Sequence, residues 1–345
     1  MSIVKFLVSF ALLVCANFPA WAQAQTRAQT QTLKIATIAP EGSSWMQDMR
    51  AGAKTIEEHT DGRVTIKFYG GGVQGNDKQV QRKMRTGQLH GGAFTSGAMN
   101  QFQPEADMLS LPLLFDSIEE ARYVRERLEG QMRQKLEDAG FVNFGFAAAG
   151  FAYMMSNKPL RTLADLDGRT VWLPEGDAVG FAALRALGVA PVMMPVTDVM
   201  TGLQTDLLDS VAVPPVGAIV FQWHTRLKYI TNVPLAYVYA ALLIDRKAFE
   251  RIQPDDQQVV REVMEGIYRR FDQSGVVDNQ DALQALLDSG LEQVEPDVAE
   301  AAQWRAIVNR SHRQLAANGQ FDEALLERMQ ALIDEFRGRA AAAGP

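Results

Sequence analysis

The sequence predicts an α/β protein of two lobes followed by long C-terminal helices. Short apolar segments alternate with amphipathic segments from residue 33 onward, which is the pattern of α/β construction. A second set of the same kind begins after the apolar stretch 141–155, and two similar units indicate two lobes. From about residue 255 the apolar residues recur at helical spacing, which predicts helices in the last part of the chain.

The first unit contains three predicted strands and two predicted helices. Ser44 with Gln47 three positions later is typical of a capping box, so a helix is expected to begin there. A second helix is expected after the glycine-rich turn YGGGVQGND at 69–77. In order, the elements are a strand at 33–39, a helix at 44–59, a strand at 64–69, a helix at 77–85 and a strand at 89–95.

The second unit repeats this alternation. Thr162 and Asp165 have the spacing of a helix cap and its third-position partner. The elements that follow are a strand at 171–173, a helix at 177–187, a strand at 190–194, a helix at 197–207 and a strand at 209–213.

The C-terminal part has two sets of apolar residues on one helical face, Val259, Val260, Val263, Met264, Ile267 and Phe271, and then Leu325, Met329, Leu332 and Phe336. We therefore expect lobe I to comprise residues 33–155 with 245–290, and lobe II to comprise 156–244. The segment 291–345 is expected to form helices that pack on the lobes.

The chain begins with the features of a secretory signal peptide. Lys5 precedes an apolar run at 6–14, and the small-x-small sequence AWA at 20–22 is typical of a cleavage site. We expect cleavage near Ala22, a linker at 23–32, and a mature protein in the periplasm.

Export restricts the chemistry of the mature chain. The only cysteine, Cys15, is lost with the signal peptide, so disulfides, thiolate nucleophiles and cysteine-ligated metals are excluded. Loss of Lys5 takes the formal charge from −7 to −8, and the chain has no dense run of Lys or Arg. Nucleic acid is therefore not an expected partner.

The glycine-rich turn also matches a nucleotide-binding pattern. Gly70, Gly72 and Gly75 satisfy G-x-G-x-x-G, the spacing that cradles a dinucleotide pyrophosphate. Such a site needs an acidic residue about 20 positions later to hold the ribose, and none occurs between Lys78 and Pro104. We interpret the stretch as a turn between a strand and a helix.

No local motif for catalysis or metal binding is present. The chain has no G-x-S-x-G nucleophile elbow. None of the four histidines has the i, i+4 spacing of a zinc helix; they are His59, His90, His224 and His312. We therefore predict no enzymatic activity, no cofactor and no bound metal.

Eight segments, in order, resemble the dicarboxylate-type (DctP) solute-binding proteins of tripartite ATP-independent periplasmic (TRAP) transporters. They cover nearly the whole mature chain and are APEGSSW (39–45), RVTIKFYGGGVQGND (63–77), MRTGQLHGGAFTSG (84–97), PEADMLSLPLLF (104–115), SNKPLRTLADLDGRTVW (156–172), ALGVAPV (186–192), GLQTDLLDSVAVPP (202–215) and LKYIT (227–231).

The resemblance implies a two-lobed periplasmic binding protein that closes like a clamshell on a small ligand. It also implies a partner, the TRAP membrane permease, to which the ligand is delivered. Sequestration in a closed, low-dielectric cleft would strengthen each polar contact to the ligand. Two α/β units in an exported chain without a catalytic motif agree with this function.

The sequence departs from the family where its members usually bind a carboxylate. An arginine normally follows the D-L-x-G turn, which here is residues 165–168, because a guanidinium binds two carboxylate oxygens at once. Its place is taken by Trp172. A second arginine position is occupied by Ala152, and a polar position before a proline is occupied by Val213.

These substitutions predict an apolar or amphiphilic ligand, either an organic acid held by backbone groups or a neutral molecule, rather than a classical dicarboxylate. Stranding a carboxylate in such a pocket is costly. The resemblance extends to a family branch with tryptophan at this place, which is associated with a tetratricopeptide-repeat partner lipoprotein. The candidate ligand-binding residues are Thr95, Ser96, Phe151, Ala152, Tyr153, Trp172, Val213, Pro214 and Glu175.

Four alternatives remain open from the sequence. Core packing is an alternative role for Trp172, Phe151 and Tyr153. A cationic amine could bind over the Trp172 ring beside Glu175 or Asp177. An exported α/β hydrolase with a scattered triad, or a ligand-sensing subunit for a signalling receptor, would share the same general features.

Overall fold

The computed structural model describes residues 30–319 and 321–343. The predicted signal peptide and residues 23–29 of the predicted linker lie outside the described residues. Gln31 and Thr32, which the sequence places in the linker, already belong to the first strand. Within the described ranges, no helix has the length and apolar character needed to cross a membrane.

The described residues contain eleven strands, which are β1 (Gln31–Ala36), β2 (Val64–Tyr69), β3 (Gly91–Thr95), β4 (Phe141–Asn143), β5 (Ala147–Ser156), β6 (Val171–Pro174), β7 (Val192–Met194), β8 (Ser210–Val213), β9 (Tyr229–Thr231), β10 (Ala236–Asp245) and β11 (Glu292–Val294).

The same residues contain eleven α-helices, which are α1 (Ser44–His59), α2 (Asp77–Arg85), α3 (Ser96–Met99), α4 (Ile118–Asp138), α5 (Ala178–Ala186), α6 (Val199–Gln204), α7 (Pro215–Val220), α8 (Arg246–Phe249), α9 (Pro254–Asp288), α10 (Val298–Ala317) and α11 (Glu323–Ala343). Short 3₁₀ helices lie at Pro104–Ser110, Leu163–Leu166, Val196–Asp198 and Trp223–Arg226.

One mixed sheet runs through both lobes. Its main order is β2-β1-β3-β10-β5-β8-β6-β7, with β4 beside β10 and β9 between β5 and β11. The long strand β5 connects the two lobes, because its first part pairs with β10 and its second part pairs with β8 and β9. The change of partner falls between Ala152, opposite Ala236, and Tyr153, opposite Val213.

The predicted α/β alternation is confirmed in both units, and the cap of α1 is the main local correction. Ser43, rather than the predicted Ser44, is the N-cap, and its hydroxyl accepts a hydrogen bond from the Met46 amide. An unpredicted capping box between Asn76 and Gln79 begins α2 after the glycine-rich turn.

In the second unit β6 begins at its predicted residue, Val171, whereas β7 begins at Val192 rather than at 190 and α6 begins at Val199 rather than at 197. Thr162 and Asp165 form the expected capping box, although the helix that they begin is a short 3₁₀ turn. Asp177 caps α5 rather than lying inside it.

Two long elements were not predicted. The helix α4 carries many charged residues, and its buried side includes Arg125 and Glu120, which obscures the apolar periodicity. The strand β10 reads as a continuous apolar run because both of its faces are covered. It pairs with β3, β4 and β5, whereas the predicted lobe boundary at 244 places most of it in lobe II.

The C-terminal helices pack on both units. Trp304 and Val308 of α10 contact Ala183 of α5 in one buried cluster. Met329 and Ile333 of α11 are buried in the cluster that includes α4. The long helix α9 lies directly on β5, since a Cβ added at Gly275 would come within 2.2 Å of the Ala148 carbonyl oxygen.

Candidate functional site

A cavity of about 630 Å³ opens between the two halves of the sheet. Its walls come from the first unit, including Thr95 and Ser96 at the end of β3, and from the second unit, including Trp172 of β6 and Val213 of β8. Helix α9 contributes Asn279. A volume of this size is typical of small-molecule sites.

Six of the nine predicted site residues line this cavity, namely Thr95, Ser96, Ala152, Trp172, Val213 and Pro214. They come from distant parts of the chain, at or near the carboxyl ends of β3, β6 and β8 and at the point where β5 changes partner. Their contact with a ligand stays a prediction.

The other three predicted residues lie outside the cavity lining. Phe151 is buried in the first-lobe core with its ring 6.1 Å from that of Tyr237. Tyr153 is half-buried and packs against the cores on both sides of β5. The Glu175 carboxylate accepts a hydrogen bond from Lys78 Nζ at 2.7 Å.

Trp172 presents only apolar surface to the cavity. Its indole Nε1 donates to the Met194 carbonyl oxygen at 3.0 Å, so its one hydrogen-bonding group is already used. Its ring meets the Trp223 ring edge to face at 5.0 Å, and Trp223 stacks on Phe221. With 4% of its surface exposed, Trp172 both packs the second lobe and forms part of the cavity wall.

The cavity wall is rich in other apolar residues that the sequence did not identify. Trp45 lines the cavity and stacks on Phe271 of α9 with ring centroids 5.7 Å apart. Trp304 and Val308 of α10 also reach the cavity. Nothing in their local sequence distinguishes these residues from ordinary members of an amphipathic helix.

Asn279 joins the elements around the cavity. Its side-chain amide donates to the carbonyl oxygens of Ala149 and Gly275, and its Oδ1 accepts from the Val216 amide at 3.3 Å. It packs against Gly150, where φ is +92° and any Cβ would collide with the Asn279 side chain. The glycine is therefore required both by conformation and by space.

The charged residues in the lining are all acidic. In the part of the chain that the structure describes, no Lys, Arg or His lines the cavity, whereas Asp48, Asp107, Asp177 and Asp278 do. Asp48 and Asp278 are exposed.

Asp107 is the most buried of these carboxylates. It is 5% exposed, and its Oδ2 accepts a hydrogen bond from Asn100 Nδ2 at 3.2 Å. Its Oδ1 is buried and has no hydrogen-bond partner among the described residues. Burial raises the pKa of Asp107 to about 7, with a further increase from the charge of Asp177.

Asp177 reaches the same cavity from the second unit. Its Oδ1 accepts from the Gly180 amide at 2.7 Å, as the N-cap of α5. Burial raises the pKa of Asp177, while hydrogen bonds from the Gly180 and Val179 amides oppose the shift. The sequence signal for Asp107 is its place as an acidic residue in the mainly apolar run ADMLSLPLL.

Two polar contacts join the walls of the cavity across the lobes. Asn100 Nδ2, which holds Asp107, also donates to the Gly176 carbonyl oxygen at 3.2 Å. The Lys78 and Glu175 side chains form an ion pair at 2.7 Å. Both contacts end in the turn between β6 and α5, so this turn is where the two units meet beside the cavity.

The described residues include no group of three or more His, Cys, Asp and Glu side chains that could hold a metal ion. Of the described histidines, none lines the cavity. His224 Nδ1, for example, lies 3.0 Å from the Ala218 carbonyl oxygen. The lining combines apolar walls with a few polar acceptors, as small-molecule binding sites commonly do.

The model of the DctP family, bacterial extracellular solute-binding proteins of family 7, matches residues 35–318. The C4-dicarboxylate-binding periplasmic protein DctP of Rhodobacter capsulatus is 24% identical over 75% of this chain and 79% of its own length. The sialic acid-binding periplasmic protein SiaP of Vibrio cholerae is 20% identical over 77% of this chain and 84% of its own. A match to protein YiiZ of Salmonella typhimurium spans only 63% of that relative.

Solved structures of TRAP periplasmic solute-binding proteins share the fold. A sugar acid-binding protein of Advenella mimigardefordensis with galactonate superimposes with a TM-score of 0.82 at 20% identity, covering 89% of this chain and 99% of that one. A protein of Sulfurospirillum deleyianum with succinate gives 0.81 at 19% identity, covering 88% and 99%. The predicted two-lobed α/β fold with long C-terminal helices is thereby confirmed.

Proposed function

The chain belongs to the DctP family of bacterial extracellular solute-binding proteins, and from this membership we propose that it is the periplasmic binding subunit of a TRAP transporter. It captures a small organic ligand with an apolar body and delivers it unchanged to the membrane permease. The observation that carries the proposal is the cavity of about 630 Å³ between the lobes, which has mainly apolar walls.

An apolar body is supported by the residues at the family's usual polar positions. Trp172, Ala152 and Val213 all line the cavity and offer no free side-chain donor. Burial of an apolar ligand surface against them contributes roughly 25 cal/mol per Å². A carboxylate placed there without a donor would instead lose its hydration without compensation.

The ligand is therefore not a classical dicarboxylate. Relatives carry names that refer to C4-dicarboxylate, sialic acid and 2,3-diketo-L-gulonate, which supports an organic acid as one candidate. The absence of basic side chains from the described lining supports a neutral or cationic polar end. An apolar or amphiphilic acid would have to be held by backbone N–H groups.

Closure of the lobes is part of the proposal. We assign residues 33–155 with about 236–290 to lobe I and residues 156–235 to lobe II. The boundary lies near Ala236 rather than at the predicted 244, because β10 pairs in the first half of the sheet. Helices α10 and α11 pack on the two lobes. The Lys78–Glu175 and Asn100–Gly176 contacts would then hold the closed state. Export through residues 1–22 and a tetratricopeptide-repeat lipoprotein partner belong to the same proposal.

A thermal-shift screen tests the ligand class. The panel contains succinate, 3-phenylpropionate, branched 2-oxo acids, a neutral aromatic alcohol and an aromatic amine. A ligand at 100 times its Kd adds about 2.7 kcal/mol to the free energy of unfolding. We expect the largest shift from a ligand with an apolar body, and a largest shift from succinate would contradict the proposal.

Substitution of Trp172 tests the location of the site. Trp172→Ala is expected to weaken the best ligand of the screen by more than tenfold, about 1.4 kcal/mol. Phe249→Ala is the matched control, because Phe249 is 1% exposed in the first-lobe core and does not line the cavity. It should lose stability but keep its affinity. Equal affinity of Trp172→Ala and the wild type would make Trp172 a packing residue only.

Delivery to the permease needs a separate measurement. Uptake of the labelled ligand into proteoliposomes that contain the cognate permease should require this protein and a sodium or proton gradient. Ligand recovered chemically altered after incubation with the protein alone would indicate an enzyme instead. Binding without stimulation of uptake would favour a sensing subunit.

A further inference from the structure

The cavity reaches both faces of the sheet in the second lobe. Trp172 and Leu173 are neighbours in β6, so their side chains point to opposite faces. They belong to different buried clusters, yet both line the cavity. Val213 shares the cluster of Trp172, Met154 shares that of Leu173, and these two residues line the cavity as well. The cavity is therefore not confined to the space between the lobes.

We call the part of the cavity on the Leu173 face the second-lobe arm. It lies between the sheet and helices α5 and α10, because its lining residues belong to the two buried clusters that these elements form. Its lining comprises Met154 of β5, Leu173 of β6, Ala183 and Leu184 of α5, Leu235 and Trp304 of α10.

The second-lobe arm is narrow and mainly apolar. Met154, Leu173 and Leu184 are 6–8% exposed, so each wall presents only a small surface to the cavity. The nearby Thr231 hydroxyl donates to the Leu160 carbonyl oxygen at 3.3 Å, which uses its one donor. Apolar cavities in proteins exclude water and accept apolar ligands. A space of this width suits a chain of methylene groups better than a ring.

Helix α10 is fixed over the second-lobe arm from the first lobe. Arg305, next to Trp304, donates from Nη1 to the Leu113 carbonyl oxygen at 3.1 Å. Its Nη2 lies 2.6 Å from Asp116 Oδ1, and Arg337 of α11 lies 2.7 Å from the other oxygen of Asp116. A ligand chain in the arm would therefore touch a wall anchored to the first lobe and a wall in the second, which favours closure.

We propose that the second-lobe arm is a subsite for an unbranched alkyl chain, and that the ligand is an amphiphile whose flexible chain bends around the end of the sheet into it. This inference rests on the proposed function and specifies the shape of the apolar body. The polar end remains between the lobes, where the hydroxyl-bearing residues Thr95, Ser96 and Ser110 line the cavity.

The shape of the cavity favours a flexible chain over a compact body. A rigid ring system between the lobes can pack on Trp172 and Val213, but it cannot also follow the cavity to the opposite face, where Met154 and Leu173 lie. An alkyl chain can turn at each bond and bury its methylene groups on both faces. The alternative to a subsite is loose packing of the second-lobe core, which would show no preference for chain length or shape.

Isothermal titration calorimetry with uncharged alcohols tests the inference on the wild-type protein. The probes are 1-butanol, 1-hexanol, 1-octanol and 1-decanol, with 3,7-dimethyl-1-octanol as the branched isomer of 1-decanol. Affinity should increase with chain length by up to about fourfold per methylene group, since each group leaves water. We expect 1-decanol to bind at least tenfold more tightly than its branched isomer, because methyl branches widen the chain.

Ala183→Leu tests the position of the chain. Ala183 is 3% exposed and lines the second-lobe arm, so the larger side chain narrows it. We expect 1-decanol to bind more than tenfold more weakly, whereas the affinity for 1-butanol, which fits between the lobes, should change by less than threefold. Ala186→Leu is the matched control, because Ala186 is exposed in the same helix and does not line the cavity. It should leave the affinity for 1-decanol unchanged.

The outcomes separate this inference from the proposed function. Equal affinity for the two isomers, no gain from 1-butanol to 1-decanol, or an equal effect of Ala183→Leu on both chain lengths would overturn the subsite and leave an apolar-ligand binding protein. If Ala183→Leu does not fold, Ala183→Val replaces it, and the wild-type comparisons stand without either variant. Tightest binding of succinate in the thermal-shift screen would overturn the proposed function itself.

Discussion

Replacing Asp107 by Asn should stabilise the unliganded protein, and increasingly so as the pH rises. The side chain is 5% exposed and its ionised form lacks a partner for Oδ1. Its pKa is raised from 3.8 to about 7 in the folded protein. At about 1.4 kcal/mol per pH unit, this shift means that ionised Asp107 costs on the order of 4 kcal/mol.

The sign of the pH dependence follows from proton binding. Between pH 4 and 7 the folded protein holds a proton on Asp107 that the unfolded chain has released. The free energy of unfolding therefore falls as the pH rises through this window, and the asparagine variant escapes that loss. The pKa of Asp177 is also raised, so its contribution to the fall of the unfolding free energy with pH is expected in both proteins.

Urea unfolding at pH 4.5 and pH 8 measures the effect. The free energy of unfolding of Asp107→Asn should exceed that of the wild type. We expect this excess to be about 2–4 kcal/mol larger at pH 8 than at pH 4.5. Asp138→Asn, at an exposed position, should show no such difference. An advantage of Asp107→Asn that is equal at both pH values, or a loss at pH 8, would refute the assignment of Asp107 as a buried, uncompensated carboxylate.

Three further substitutions test the architecture around the cavity. Gly275→Ala should destabilise the protein by about 1–3 kcal/mol in urea unfolding, because its Cβ would lie 2.2 Å from the Ala148 carbonyl oxygen. Gly266→Ala in the same helix should be neutral or stabilising by up to about 1 kcal/mol, because its Cβ would meet only the Arg270 side chain, at an ordinary contact distance of 3.8 Å. Trp172→Phe should lower the free energy of unfolding by about 1 kcal/mol, because it removes the hydrogen bond from Nε1 to the Met194 carbonyl oxygen. Unchanged stability would show that this bond contributes nothing. Lys78→Ala should weaken ligand binding by less than tenfold and reduce its salt dependence, since the ion pair with Glu175 is partly exposed; a larger loss would place Lys78 in direct contact with the ligand.

Much of the fold could be predicted because local signals agree with tertiary structure. The strand Val64–Tyr69 and the helix Asp77–Arg85 have their predicted bounds, since alternation, the glycine turn and helix capping all act over a few residues. The strand β10 could not be identified in the same way. It is apolar on both faces because it lies inside the sheet between β3 and β5, and this burial is a property of the whole fold.

The candidate site was predicted where it coincides with strand ends. Trp172, Ala152 and Val213 fall at strand positions that the family resemblance singles out, and all three line the cavity. The sequence could not show which of Phe151 and Ala152 lines the cavity. Alternation along β5 directs the Phe151 side chain into the core. Asp107 and Asn279 were missed because the 3₁₀ turn and the long helix that carry them approach the cavity only through tertiary packing.

Native mass spectrometry of the protein purified from periplasm under non-denaturing conditions tests the central claim most directly. The mass added to the folded chain, and the accurate mass of the molecule released on denaturation, identify what the cavity holds. We predict one small molecule per chain with an apolar body and without a pair of carboxylates. Recovery of succinate or another compact diacid as the bound species would contradict the claim.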